Sequence, residues 1–96
     1  MIKIVAKQIV KQDRITDFIA ISKKLVHETL KSDAGCISYG LFQSLEHSNI
    51  LTFIEEWENQ ELLDRHLASQ HFKKLFPELE KLLDVPAEIA QYQKIE

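Results

Sequence analysis

The chain begins with a segment in which side chains of different character alternate. In residues 2–10, Ile2, Ile4 and Ala6 share one face of an extended chain, and Val5 lies on the other. β-Branched residues dominate this segment, which is typical of strands. The pattern therefore predicts a first strand over residues 2–10.

The next segment changes to the three-and-four residue spacing of an amphipathic helix. Its inward stripe consists of Ile15, Phe18, Ile19, Ser22, Leu25, Val26 and Thr29. Asp13 is a suitable N-cap for this helix. We expect the helix to end near Ser32, and Gly35 supplies the turn that follows.

Two further strands are predicted over residues 36–43 and 50–57, joined by a short polar turn. Together they form a hairpin. On the second of these strands Phe53, Glu55 and Trp57 share one face, because successive side chains of a strand point to opposite sides. A carboxyl group is therefore expected among aromatic side chains.

The next part of the chain is helical. Asn59 is a candidate N-cap for a helix over residues 60–68, and His66 falls within its apolar stripe. That stripe contains Leu62, Leu63 and Leu67. A second helix is predicted over residues 72–83, and Pro77 should kink or restart it, because proline lacks an N–H group and clashes with the preceding turn.

A last strand over residues 87–95 completes the order strand, helix, strand, strand, helix, strand. This order predicts one α+β domain over residues 1–96 with the ferredoxin-like βαββαβ arrangement, an antiparallel sheet with helices on one face. On the other face, Val5, Ile9 and Ile54 would be exposed to water. A second copy of the sheet is the simplest cover, so we expect a homodimer.

Composition excludes several classes of function. The formal net charge of -3 argues against nucleic acid as a partner, because phosphate binding needs a concentrated basic surface. The chain has one cysteine, Cys36, which we expect to pack in the core, and two glycines, too few for a phosphate-binding loop. No signal peptide and no membrane-spanning run of about 20 apolar residues is visible, so we expect a cytoplasmic protein that does not bind membranes.

Three stretches in order along the chain carry a resemblance to a known family. Residues 34–39 contain a glycine, a small residue and a tyrosine at a helix-to-strand junction. Residues 53–57 contain Glu55 and Trp57, separated by one residue. Residues 66–72 begin with a histidine at the end of a helix. In this combination the sequence resembles the antibiotic biosynthesis monooxygenase family.

The resemblance implies a dimeric α+β barrel with a small-molecule pocket between the sheet and the helices. Members of the family include cofactor-free oxygenases of quinols and anthrones, haem-degrading enzymes and isomerases of small signalling sugars. The chain departs from the haem-degrading branch, because Phe76 stands where that branch has its haem-ligating histidine and Gln8 where it has an asparagine. The resemblance therefore implies an enzyme without a cofactor, in which the deprotonated substrate itself passes an electron to oxygen.

His66 is the first candidate for a catalytic base, because its pKa lies near neutrality and the helical spacing places it inside. The alternative is a core histidine satisfied by one hydrogen bond. Glu55 shares the inward face and is expected to pair with His66 as an acid/base dyad, or to be a structural carboxylate that accepts backbone N–H groups. Phe53, Glu55, Trp57 and His66 should line one cavity.

Five residues form the predicted substrate-binding set: Tyr39, Phe53, Trp57, His71 and Phe72. Trp57 and Tyr39 offer aromatic surface with a polar edge, which suits an aromatic substrate, and each would serve equally well as a core residue. His71 is expected in the loop before Phe72. His66 and His71 do not resemble a zinc site, because their spacing is poor for one helical face and no third ligand is evident, so no metal is expected.

Two classes of function remain. The first is a cofactor-independent monooxygenase of a small electron-rich aromatic such as a quinol. The second is a binding or stress-response module that uses the same pocket without turnover. An isomerase of a small polar metabolite lies between them. An apolar pocket rimmed by aromatic side chains favours the oxygenase, and a polar pocket with several titrating groups favours the isomerase.

Overall fold

The alternating and helical segments of the sequence form four strands and three helices in the computed structural model, which describes residues 1–96. The strands are β1 (Ile2–Ile9), β2 (Cys36–Gln43), β3 (Ile50–Trp57) and β4 (Glu88–Gln93). The helices are α1 (Ile15–Ser32), α2 (Gln60–Leu67) and α3 (Gln70–Glu80). None of the helices combines the length and hydrophobicity needed to cross a membrane.

The four strands form one antiparallel sheet in the order β2-β3-β1-β4, with β1 and β3 at the centre. The buried side chains of β3 alternate strictly, as Leu51, Phe53, Glu55 and Trp57, because only one face of the strand lies under the helices. This arrangement confirms the predicted ferredoxin-like α+β fold.

The core lies between this covered face and the helices. Phe18 and Leu25 of α1, Leu63 of α2 and Leu79 of α3 are fully buried against it. The helices pack on β2 and β3 and on one another, but make few contacts with β4. Ile89 of β4 is therefore 55% exposed although it lies on the covered face, and the space between β4 and the helices remains open.

The starts of two helices differ from the sequence-based expectation. Asp13 does not cap α1, because residues Gln12–Arg14 form a single 3₁₀ turn and Arg14 occupies the N-cap position without a side-chain hydrogen bond. Helix α3 begins two residues early, because the Ser69 side chain accepts a hydrogen bond from the backbone N–H of Phe72. His71 is consequently helical and not a loop residue. Asn59 caps α2 as predicted.

The ends of the remaining elements also differ in detail. Helix α3 runs through Pro77 to Glu80, so the predicted restart is wrong: a proline removes one backbone hydrogen bond, and the burial of Leu79 holds the following turn. Strand β4 ends at Gln93, which leaves Ile95 outside the sheet. Leu67 of the predicted inward stripe is 42% exposed, because it lies at the open side of the domain.

Gly35 is the one residue with a positive φ, of 81°, and it turns the chain from α1 into β2. A Cβ atom at this position would lie 2.3 Å from Cδ1 and 2.7 Å from Cβ of Leu62. The Gly35 carbonyl accepts the backbone N–H of Glu58 at 2.9 Å, which connects the turn to the end of β3. The close approach of α2 therefore requires glycine here.

We expect Gly35→Ala to lower the free energy of unfolding by about 2 kcal/mol or more, because a left-handed alanine costs roughly 1–2 kcal/mol before any clash is counted. Chemical denaturation followed by circular dichroism measures this change. Gly40→Ala is the control, because its new Cβ would meet only the half-exposed ring of Phe42, at 3.1 Å. Equal effects of the two substitutions would contradict the role of Gly35.

Candidate functional site

A cavity of about 120 Å³ lies between the covered face of the sheet and the helices. Ten of its thirteen lining residues are hydrophobic. The sheet contributes Ile4, Ala6, Gln8, Tyr39, Phe53, Glu55, Ile89 and Gln91, and the helices contribute Leu25, Leu63, Leu67, Phe72 and Phe76. Partly exposed Leu67 and Ile89 stand where the helices leave β4 uncovered. This composition suits a small apolar ligand that enters from the β4 side.

Glu55 is the only ionisable carboxyl group in the cavity wall. It occupies the centre of the sheet, between Tyr39 on β2 and Ile4 on β1. Its Oε1 accepts a hydrogen bond from Nε1 of Trp57 at 3.0 Å, and this is its only side-chain hydrogen bond within the protein. Burial raises the pKa of Glu55 from its ordinary value of 4.5 to about 7, although the Trp57 hydrogen bond opposes the rise. Such a carboxyl group can take up or release a proton near neutral pH.

Tyr39 stands beside Glu55 in the same cross-strand row and is almost fully buried. Its ring packs against Phe53 and His66, with centroid separations of 5.7 and 5.2 Å. Burial is the main cause that raises the pKa of the Tyr39 hydroxyl above its ordinary value of 10, and the negative charge of Glu55 raises it further. The hydroxyl is therefore neutral at physiological pH and can donate a hydrogen bond.

His66 does not form the predicted dyad with Glu55. Its Nδ1 is 2.5 Å from Oδ2 of Asp33, the residue that follows α1, and the same oxygen is 2.9 Å from Nε2 of His71. The three side chains connect the end of α1, the end of α2 and the first turn of α3. Sequence spacing cannot show this pairing, because 33 residues separate Asp33 from His66.

The ring of His66 is buried among aromatic side chains and does not line the cavity. Its centroid lies 4.6 Å from that of Trp57 and 5.0 Å from that of Phe72. Burial lowers the pKa of His66, and the hydrogen bond and charge of Asp33 oppose this effect. His66 thus contacts the indole whose N–H reaches Glu55.

Trp57 is fully buried and also lies outside the cavity wall. The expectation that Phe53, Glu55, Trp57 and His66 line one cavity is therefore wrong for Trp57 and His66, because Phe72 and Tyr39 pack beside the His66 ring. His71 likewise does not line the cavity. Phe53, Tyr39 and Phe72 do line it, together with Glu55.

Asp33, His66 and His71 also form the one group with the donor types of a metal site, with possible ligand atoms within 4.8 Å of one another. The expectation that the two histidines lack a third ligand is wrong, because Asp33, which lies outside residues 66–72, provides a third possible ligand atom. Two imidazoles and a carboxylate are a donor set that zinc accepts. In the structure these groups bind one another through hydrogen bonds.

Cys36 is half-buried at the start of β2, and its Sγ lies 3.6 Å from the carbonyl oxygen of Ser38. Burial, with the charges of Glu55 and Asp33, raises the pKa of the thiol to about 11. The thiol is thus protonated at neutral pH and a poor nucleophile.

Several cavity residues were not identified from the sequence: Gln8, Leu25, Leu63, Phe76 and Gln91 line the cavity as well. Gln8 continues the inward alternation of Ile4 and Ala6, so the period of β1 contains the signal for it. Phe76 stacks on Phe72 with centroids 4.9 Å apart, one helical turn away. The other residues become neighbours only through the tertiary fold.

The sequence model of the antibiotic biosynthesis monooxygenase family matches residues 1–78 of the chain. The chain belongs to this family. The matched part includes β1 to β3 and nearly all the helical segments, and so every cavity residue except the two on β4. Members of this family bind small molecules.

Individual relatives agree with this membership. A crystal structure of a conserved protein from Methanosarcina mazei Go1 is 46% identical, with a TM-score of 0.94 over 97% of this chain and 91% of that one. A crystal structure of an antibiotic biosynthesis monooxygenase is 26% identical, with a TM-score of 0.93 over the whole of both chains. The protein sll1783 of Synechocystis sp. is 36% identical over 84 residues, which are 88% of this chain but only 56% of that protein.

The raised pKa of Glu55 predicts a particular dependence of stability on pH. The folded state holds a proton on Glu55 up to about pH 7, whereas the unfolded chain releases it near 4.5. Between these values the folded state binds more protons, so the contribution of Glu55 to stability falls as pH rises and stays low above about pH 7.

We therefore expect Glu55→Gln to be more stable than the wild type at pH 8, by up to roughly 3 kcal/mol at 1.36 kcal/mol per pKa unit, and to lose this advantage near pH 4.5. Urea denaturation at a series of pH values measures the difference. Exposed Glu58→Gln should show no such trend. A difference for Glu55→Gln that is independent of pH would contradict the raised pKa.

Proposed function

We propose that this protein is a monooxygenase of small, electron-rich aromatic molecules such as quinols, with Glu55 as the catalytic base. The observation that carries the proposal is a carboxyl group with a pKa of about 7 in the wall of a cavity that is otherwise mainly apolar and aromatic. A base poised near the working pH is the requirement for removing a proton from a phenolic hydroxyl.

The size and lining of the cavity support an aromatic substrate. About 120 Å³ is close to the roughly 150 Å³ of an apolar cavity that binds benzene. Phe53, Phe72 and Phe76 provide ring surfaces for stacking or edge contacts. A wall of ten hydrophobic residues, with Gln8, Glu55 and Gln91 as the three others, favours the oxygenase over the isomerase, which would need a mainly polar wall with several titrating groups to hold a sugar-like metabolite.

In the proposed reaction the Glu55 carboxylate accepts the proton of a substrate hydroxyl. The neutral Tyr39 hydroxyl, in the same cross-strand row, can donate a hydrogen bond to the resulting phenolate oxygen. The electron-rich ring then reduces O₂ and forms a carbon–oxygen bond, and loss of water leaves a hydroxyquinone. For a simple quinol the balance is quinol plus O₂ gives hydroxyquinone plus water, with O₂ as the only oxidant.

We assign His66 a positioning role in this proposal. It contacts Trp57 rather than the cavity, and Trp57 donates the only hydrogen bond that Glu55 receives. The Asp33 carboxylate fixes the His66 ring through Nδ1. Loss of the His66 imidazole would therefore remove a contact that holds the Trp57 ring, and so disturb the hydrogen bond that Trp57 donates to Glu55.

Oxygen uptake tests the proposed base. With a panel of quinols, kcat/KM of the wild type should rise with pH and level off above about 7, the pKa of Glu55. Glu55→Gln should lower the rate by roughly 10²–10⁴-fold and abolish that pH dependence, because the amide cannot accept the proton. The lower rate and the loss of pH dependence both follow from the removal of the Glu55 carboxyl group.

Glu58→Gln is the control, because Glu58 is an exposed residue just after β3 and does not line the cavity. Its rates should equal those of the wild type. A folded Glu55→Gln protein with wild-type turnover of a quinol would disprove the role of Glu55.

We also propose that the functional unit is a homodimer formed through the helix-free face of the sheet. A cross-strand row of Gly40, Ile54, Val5 and Ala90 runs across this face, and all four residues remain partly exposed in one chain. Phe42 and Tyr92 stand on the same face and are each more than half exposed. A second copy would remove this apolar surface from water.

Sedimentation velocity at micromolar protein concentration should show a dimer. Obligate interfaces of this kind commonly bury more than about 2,000 Å² of accessible surface. Ile54→Glu should give monomers, since it places a charge in the apolar row. Leu30→Glu is the control, because Leu30 is an exposed residue of α1 on the other side of the domain. A monomeric wild type would refute the proposed interface.

A further inference from the structure

Gln8 is a polar residue of the cavity wall that the proposed reaction leaves unused. Gln8 is completely buried, and neither its Nε2 nor its Oε1 has a hydrogen-bond partner within the protein. The other buried side-chain atoms without partners belong to Ser22, Thr29 and His66, none of which lines the cavity. Buried amides are normally hydrogen-bonded. Of these four residues only Gln8 lines the cavity, so a molecule bound there can supply the partner of its amide.

Gln8 and Glu55 lie at opposite ends of the part of the sheet that lines the cavity. In the register of the sheet, Glu55 lies opposite Ile4 of β1. Gln8 lies four residues after Ile4 on β1, opposite Leu51 of β3. At about 3.3 Å per residue, the two positions are separated by roughly 13 Å along the strands. The row between them is apolar and contains Ala6, Phe53 and Ile89.

We infer that Gln8 binds a second oxygen of the substrate, opposite the hydroxyl that Glu55 deprotonates, and so selects aromatics with two oxygen functions in para positions. This inference rests on the proposed function, since it concerns the same cavity. An amide both donates and accepts, so it can pair with a hydroxyl in the quinol and with a carbonyl in the quinone product. An ortho pair would place both oxygens at the Glu55 end and leave Gln8 without a partner.

Binding under nitrogen tests the inference without turnover. The probes are hydroquinone, 4-methylphenol, in which a methyl group replaces the para hydroxyl, and catechol, in which the second hydroxyl is ortho. The wild type should bind hydroquinone about 10-fold more tightly than either of the other two, the difference expected for one or two hydrogen bonds in a buried site. Titration followed by NMR chemical shifts measures each dissociation constant.

Gln8→Met keeps the length of the side chain and removes its hydrogen-bonding atoms. The variant should bind hydroquinone and 4-methylphenol equally, with its affinity for 4-methylphenol preserved. Gln93→Met is the control, because Gln93 is an exposed amide outside the cavity wall, and it should keep the 10-fold preference. If Gln8→Met fails to fold, the order of the three affinities in the wild type still decides the question.

The possible outcomes separate the two proposals. Phenols that bind without a preference for the para diol, or a preference that survives in folded Gln8→Met, would overturn the inference about Gln8 alone. A para preference that Gln8→Met abolishes, together with no oxygen uptake, would support the inference and refute the oxygenase. A wild type that binds none of the three phenols would overturn both.

Discussion

The burial of one carboxyl group in an apolar layer is the constraint on which the site depends. Strand β3 places Glu55 between Phe53 and Trp57 on the face that the helices cover. The indole N–H of Trp57 is its only side-chain donor, and that single hydrogen bond does not offset desolvation, so the pKa rises to about 7. A glutamate side chain in water is ionised at neutral pH, whereas the buried Glu55 carboxyl group can take up and release a proton there.

The shared carboxylate of Asp33 organises the structure behind this group. By accepting hydrogen bonds from His66 and His71, it joins the ends of three helices at a point next to Trp57. His66 and His71 therefore support the layer of aromatic side chains around Trp57. The cavity lies on the other side of that layer, where Tyr39 and Phe72 separate it from the imidazole of His66.

Uneven coverage of the sheet gives the domain its two open surfaces. The inward side chains of β1 and β3 are buried, whereas Ile89 of β4 is 55% exposed, which leaves an entrance beside Ile89 on the covered face. The opposite face has no helices and presents an apolar row across all four strands. A small domain buries a limited fraction of its surface, so such faces are the natural places for a ligand and a second chain.

The sequence by itself determined the order of the elements and the inward faces of the strands, because these follow from local periods of two and 3.6 residues. It therefore placed Glu55, Phe53 and Trp57 on one face, and the same period contained the signal for Gln8. Local capping rules were right at Asn59 and wrong at Asp13, where a 3₁₀ turn intervenes. Only the tertiary structure decided which inward groups meet: it paired His66 with Asp33, kept Trp57 outside the cavity and left the Gln8 amide without a partner. Those outcomes depend on how helices cross the sheet, and helix placement results from packing between residues far apart in the chain, which no local pattern encodes.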